Sequence, residues 1–222
     1  MRSRAGVLLL LAACLGIWCY HILLDRNRPP RKRAAAPAAA HHPAVLSPVQ
    51  RRILDGAKAR AAKGARYSAA YARIAYPGGD VDDSVGACTD VVVRSLRNAV
   101  MDLQQLVHED MQKRFEDYPK RWGLTRPDPN IDHRRCPNLI HFFEKYAQAL
   151  PRHATPATRA DWQPGDIVFW KLPGGLQHCG IVSDTLNGDG IPFVVHNIDT
   201  CREEDVLEKW EITAHFRYPP AP

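Results

Sequence analysis

The feature that most limits how this chain can fold is a change of character near residue 150. Before it, apolar residues recur at helical spacing; after it, they fall in short runs broken by turn residues. Residues 88–101 place Val92, Leu96 and Ala99 on one face. Residues 103–117 do the same with Leu106, Val107, Met111 and Phe115, and residues 138–150 with Leu139, Phe142 or Phe143, and Tyr146. Each stretch predicts a helix. Ile167-Val168-Phe169-Trp170 then follows the turn residues Pro164-Gly165-Asp166, and Cys179-Gly180-Ile181-Val182 and Phe193-Val194-Val195-His196 flank Asn187-Gly188-Asp189-Gly190. Those runs predict strands, with a last one at 212–218 after a short helix at 203–210. Helices first and short strands later imply an α+β domain, N-terminal helices packed on a small antiparallel sheet. Upstream, Ser47 as cap, Pro48 at the first helical position and Gln50 three residues after the cap open another helix. It is expected to run to about residue 75, where Pro77-Gly78-Gly79 stops it. Residues 118–137, rich in Pro, Asp, Asn and Arg, read as a long ordered loop of the kind usually kept for function.

The formal charge of +6 on 222 residues is not spread evenly. Residues 1–47 hold seven basic side chains (Arg2, Arg4, Arg26, Arg28, Arg31, Lys32, Arg33) against Asp25 alone. Of the 30 basic and 24 acidic residues, that leaves 23 of each for 48–222. A neutral domain lacks the basic face that tracks phosphates, which argues against nucleic-acid binding. Arg2 and Arg4 precede an apolar run over 5–24, long enough for a signal sequence or one membrane-spanning helix of roughly 20 residues. Three fates fit it: an uncleaved anchor, lipidation at Cys14 in Leu11-Ala12-Ala13-Cys14, or cleavage within 34–40. The expected organisation is a targeting or anchor segment at 1–25, a Pro/Ala-rich linker at 26–46 and a single domain at 47–222. The expected location is the periplasm, with N-terminal association to the inner membrane.

Export would accommodate six cysteines. Cys14 and Cys19 fall in the targeting segment, leaving Cys88, Cys136, Cys179 and Cys201. No CxxC or zinc-like spacing links them, so neither a metal cage nor a cofactor is expected. Cys88 stands apart because it heads a predicted helix, where unpaired N–H groups and the helix dipole favour a thiolate. Free cysteines more often only pack, so its role depends on its company. His178 opens one predicted strand and His196 closes the next. His178 is expected to take the Cys88 proton and His196 to hold that imidazole in its working tautomer. Both side chains must then project from one face, which requires His196 opposite His178 or Gly180 and never opposite Cys179. Asp90 either caps the helix or touches substrate. Asp132, His133 and Arg134 (with Arg135) are candidate substrate-binding residues, since arginine pairs bidentately with carboxylates. His108, His141 and His215 are read as packing or surface residues.

Trp162-Gln163-Pro164-Gly165-Asp166-Ile167-Val168-Phe169-Trp170, with His178-Cys179-Gly180-Ile181-Val182 and Val195-His196, resembles the NlpC-type cell-wall peptidases. More closely, the chain is similar to domain-of-unknown-function family 1287. The matching stretches are Tyr76-Pro77-Gly78-Gly79-Asp80, Cys88-Thr89-Asp90-Val91-Val92, His108-Glu109-Asp110-Met111, Ile131-Asp132-His133-Arg134-Arg135, Pro137-Asn138-Leu139, His196-Asn197-Ile198 and Ile212-Thr213. The likeness covers about residues 70–218. Cys179 departs from a usual branched aliphatic, Cys136 from a usual Val, and Asp199 from the Gly that normally follows His-Asn-Ile. The resemblance implies a papain-like fold and a cysteine hydrolase that cuts an amide through an acyl-enzyme, with peptidoglycan stem peptides as substrate. The alternatives are a non-catalytic module on the same fold, binding peptidoglycan or a partner, and an acyltransferase with the same acyl-enzyme.

Overall fold

The structure, a computed structural model, describes residues 40–41 and 46–220. The expectations for residues 1–25, and for most of the 26–46 linker, lie outside these residues. Among the described residues no helix is long and apolar enough to cross a membrane. Ala40–His41, inside the stretch read as linker, form β1, which pairs with Thr185 and Leu186.

Helix α1, Pro48–Lys63, begins as its sequence dictates. The Ser47 hydroxyl accepts the Gln50 N–H at 3.2 Å, and the Gln50 side chain accepts the Ser47 N–H at 3.2 Å. It does not continue to residue 75. Gly64 adopts φ +65° and donates its N–H to the carbonyls of Arg60 and Ala61, which ends the helix. The stop was written by one glycine inside an otherwise helix-favouring Ala/Arg/Lys run. The released chain forms β2, Arg66–Tyr67, paired in parallel with β3, Val85–Gly86. These two strands lead into α2, Cys88–Asn98, which is buried on nearly every side from Cys88 to Leu96. Helices α1 and α2 cross closely at Gly56, where a Cβ would come within 2.8 Å of the Asn98 side chain and 3.0 Å of the Ser95 backbone.

Helix α3, Leu103–Arg114, is capped by Asp102 and runs into a 3-10 turn, Phe115–Asp117. The loop that follows holds only a second 3-10 turn, Asp132–Arg134, before α4, Cys136–Tyr146. The remaining strands are β4 (Gln148–Ala149), β5 (Ile167–Lys171), β6 (Gln177–Leu186), β7 (Pro192–Asn197), β8 (Cys201–Glu204) and β9 (Glu211–Arg217). They lie antiparallel in the order β4-β9-β5-β6-β7-β8, with β1 beside β6. The mixed helix-and-sheet architecture agrees with the α+β expectation. The helix expected at 203–210 is instead β8 and a turn. Its residues pair with β7, and Val206 and Leu207 are buried beneath Trp170, whose indole N–H donates to the Leu207 carbonyl at 2.9 Å.

The sheet separates two apolar layers. Ile167, Phe169, Cys179, Ile181, Val195 and Phe216 face the helices, while Val168, Trp170, Val182 and Val194 pack with Trp162, Val206 and Leu207 on the other side. Each strand therefore contributes alternate side chains to the two layers. The Trp162-Gln163-Pro164-Gly165-Asp166 motif closes one end of the sheet. Asp166 is fully buried and takes two bonds from Arg217 at 2.8 Å, the Gln163 N–H at 2.8 Å and a contact with His215 at 3.1 Å. His215 stacks on Trp162 with ring centroids 3.6 Å apart, a satisfied packing histidine as read from the sequence.

Candidate active site

Cys88 is the first residue of α2, where the backbone N–H groups have no partner within the helix. The turn before it is fixed by Asp90, whose carboxylate accepts the Ala87 N–H at 2.6 Å and a bidentate pair from Arg134 at 2.8 and 2.9 Å. Arg134 also donates to the carbonyls of Ala70 and Ser68, so it ties the 68–70 segment and its own 132–134 turn to the start of α2. From the other side, the Asn197 amide donates to the carbonyls of Ala65 and Gly86. Asp199, the departure beside His196, accepts the Tyr67 N–H through its carbonyl and pairs with Arg202.

The histidines follow the register rule. Gly180 of β6 lies opposite His196 of β7, so His178 and His196 share one face. His178 Nε2 and His196 Nδ1 are 2.9 Å apart. Gly180 is what permits this: a Cβ there would sit 2.7 Å from both the Val194 side chain and the Val195 carbonyl, and 3.1 Å from the His196 side chain. The face is the one occupied by Trp170 and Trp210, not the one covered by the helices. Trp170 stacks on His178 at 5.6 Å, and Trp210 meets both imidazoles edge-on. Glu204 of β8 brings a carboxylate oxygen to 3.0 Å from His196 Nε2. This group was missed from sequence because 203–210 reads as helix; the alternation of β8, with Arg202 and Glu204 on one face, is the signal that finds it.

That chain of contacts assigns the tautomers. Glu204 favours a proton on His196 Nε2, which leaves His196 Nδ1 to accept from His178 Nε2. In that tautomer His178 Nδ1 carries the ring lone pair. Burial and then the charge of His178 push His196 down to about 4, so it stays neutral.

Cys88 has closer company than the imidazole. Its sulfur is 3.8 Å from that of Cys136 at the start of α4, and Cys136 is 3.8 Å from Cys179 on the helix-facing side of β6. All four cysteines of the domain are free thiols. Hydrogen bonds from Cys136 and Cys179 hold the Cys88 thiol well below its usual range, against the cost of burial and with further help from His178. Burial and then the bonds to Cys136 and Cys88 push Cys179 up. In Cys136 the bond with Cys179 favours the thiolate, but its bond to Cys88 and its burial outweigh it, and the net shift is upward. Of the three thiols, these contacts favour ionisation at Cys88. The absence of a CxxC spacing did not anticipate this trio, since its members are 48 and 43 residues apart in sequence.

A cavity of about 330 Å³ opens on Cys88 and Cys136, bounded by Tyr67, Trp122, Arg135 and Gln177 among others. Arg134 also lines it, whereas Asp90, Asp132, His133, His178 and His196 do not. Asp90 is the internal partner of Arg134. Asp132 accepts the Asp128 N–H and a bond from Arg135, and burial pushes it up to about 6. His133 is 2 % exposed and pushed down to about 4, first by burial and then by Arg134. Of the five substrate-binding candidates, Arg134 and Arg135 reach the cavity, and the Arg134 guanidinium is already paired with Asp90. The side chains placed to meet a ligand there are Arg121 and Arg135, the latter stacked on Trp122 at 4.1 Å, together with Tyr67.

An α+β domain with a cysteine at a helix start beside paired histidines is the class these features define. A family model described as a domain of unknown function (DUF1287) matches residues 54–218, and the chain belongs to that family. The "Uncharacterized protein YijF" of Escherichia coli (strain K12) is 49% identical over 167 residues, which cover 75% of this chain and 80% of that protein.

Proposed function

We propose that this protein is an exported cysteine amidase or endopeptidase with a papain-like, NlpC-type arrangement, acting on peptidoglycan stem peptides. The observation that carries the reading is the Gly180–His196 register, which joins His178 to His196 at 2.9 Å, together with the pull of His178 on the Cys88 thiol. His178 Nδ1 takes the Cys88 proton, and the thiolate adds to the scissile carbonyl. The Cys88 N–H, at the head of α2, donates to the developing oxyanion; loss of such a donor costs about 2.7–4 kcal/mol of barrier. The imidazolium returns its proton to the departing amine and a thioester forms. Water, deprotonated by His178, then cleaves the thioester, releasing a carboxylate and the free thiol. Arg121 and Arg135 suit the carboxylates of stem peptides. Residues 1–25 supply the export signal and membrane association in this reading.

Purified sacculi incubated with the reduced full chain test it. New amine and carboxylate ends on stem peptides, absent with Cys88→Ser, are the expected result. Retained sacculus binding without any cleavage would replace the hydrolase with a binding module, and transfer of the acyl group to an added amine in place of water would make it an acyltransferase.

A further inference from the structure

We propose that Cys88, Cys136 and Cys179 form a three-thiolate site for a soft, thiophilic cation of the zinc class, and that an ion seated there withdraws the Cys88 sulfur from reaction. The three sulfurs come from separate elements, the starts of α2 and α4 and the helix-facing side of β6. Two of the separations are 3.8 Å, and all three sulfurs lie within 4.8 Å of one another. A tetrahedral ion with metal–sulfur bonds of about 2.3 Å spaces its sulfurs about 3.8 Å apart. Two of the three edges therefore already have the length that such an ion imposes, and the third is within 4.8 Å. Among the described residues no other group of three Cys, His, Asp or Glu side chains converges in this way.

The chemistry selects the ion. Three sulfurs and no carboxylate favour zinc, cadmium or monovalent copper over magnesium or calcium, which take oxygen ligands. Cys88 and Cys136 line the cavity while Cys179 lies behind them, so an ion can enter from the cavity and keep an open position on that side. Coordination releases the S–H protons to solvent and uses the lone pair with which Cys88 would attack a carbonyl. Packing alone does not call for three sulfurs converging beside a cavity that two of them line. The inhibitory consequence rests on the proposed hydrolase reading; the binding itself does not.

The test is therefore read without substrate. The reduced full chain, freed of metal by chelator and kept in a thiol-free reductant, is titrated with Cd²⁺ while thiolate-to-metal charge-transfer absorbance is followed. One equivalent should saturate the signal, at an intensity corresponding to three thiolates. Cys136→Val with Cys179→Val should weaken binding by more than about tenfold, since changes even outside the ligand shell cost 10–100-fold. Cys136→Ser alone, nearly isosteric, serves if the double variant does not fold. In parallel, one equivalent of Zn²⁺ should protect Cys88 from iodoacetamide in the parent chain and not in the variants. No uptake by the reduced parent chain, or equal uptake by the folded variants, would overturn the site. Uptake with unchanged Cys88 labelling would overturn the withdrawal of its sulfur.

Discussion

At the scale of the residue, protonation is set mainly by what each buried group can reach. His133 is held down to about 4 and its Nδ1 has no hydrogen-bond partner, so it is carried in the fold as a neutral ring. A depressed basic group contributes stability that is present above its unfolded value of about 6.5 and is lost as pH falls toward 4. His133 should therefore steepen acid unfolding by about 1.4 kcal/mol per pH unit across that window, and His133→Gln should flatten the curve. Chemical denaturation between pH 7 and pH 4 reads this directly. A stability difference between the parent chain and His133→Gln that does not change over that range would show that His133 is not held neutral. The opposite sign applies to Asp132: its raised value favours the folded state below about 3.8, and the benefit is lost as pH rises through about 6. The positions of Cys88 at a helix start and of His178 and His196 on adjacent, paired strands were legible in the sequence, because both have positional signatures. Glu204 and the three-sulfur contact were not, since long-range contacts leave no spacing to read.

At the scale of the element, the β6–β7 pairing positions the two imidazoles. Alternation told which residues must share a face, and the Gly180–His196 register obeys it. What alternation could not tell was which face the helices cover; it is Cys179, and not His178, that points toward them. Gly180→Ala tests the pairing. The added methyl meets the backbone carbonyl of Val195 at 2.7 Å, so the strands must part. A loss of about 1–3 kcal/mol in urea unfolding is expected, together with slower alkylation of Cys88 as His178 and His196 separate. A variant of parental stability and reactivity would show that the glycine is not needed for the register. The two misplaced elements share one physical cause. The end of α1 depends on a single left-handed glycine, and 203–210 is committed to strand and turn by pairing with β7; neither is visible to apolar periodicity.

At the scale of the whole molecule, α2 is the pivot. Its start is held by Arg134 reaching to 68–70, by Asn197 from the sheet and by β3 immediately before it, so segments more than 100 residues apart fix one cysteine. The α+β class was readable from the order of helical and extended stretches, while the cavity wall was readable only at Arg134 and Arg135, because Arg121 and Trp122 come from a loop without periodicity. The central claim is that this convergence makes Cys88 an activated thiol with His178 as its base. Timed iodoacetamide labelling of the reduced, metal-free full chain near neutral pH, with each cysteine followed by peptide mass analysis, tests it most directly. Cys88 should react faster than Cys136, Cys179 and Cys201, and His178→Ala should slow Cys88 alone. Equal rates at all four thiols, or a Cys88 rate indifferent to His178, would contradict the account.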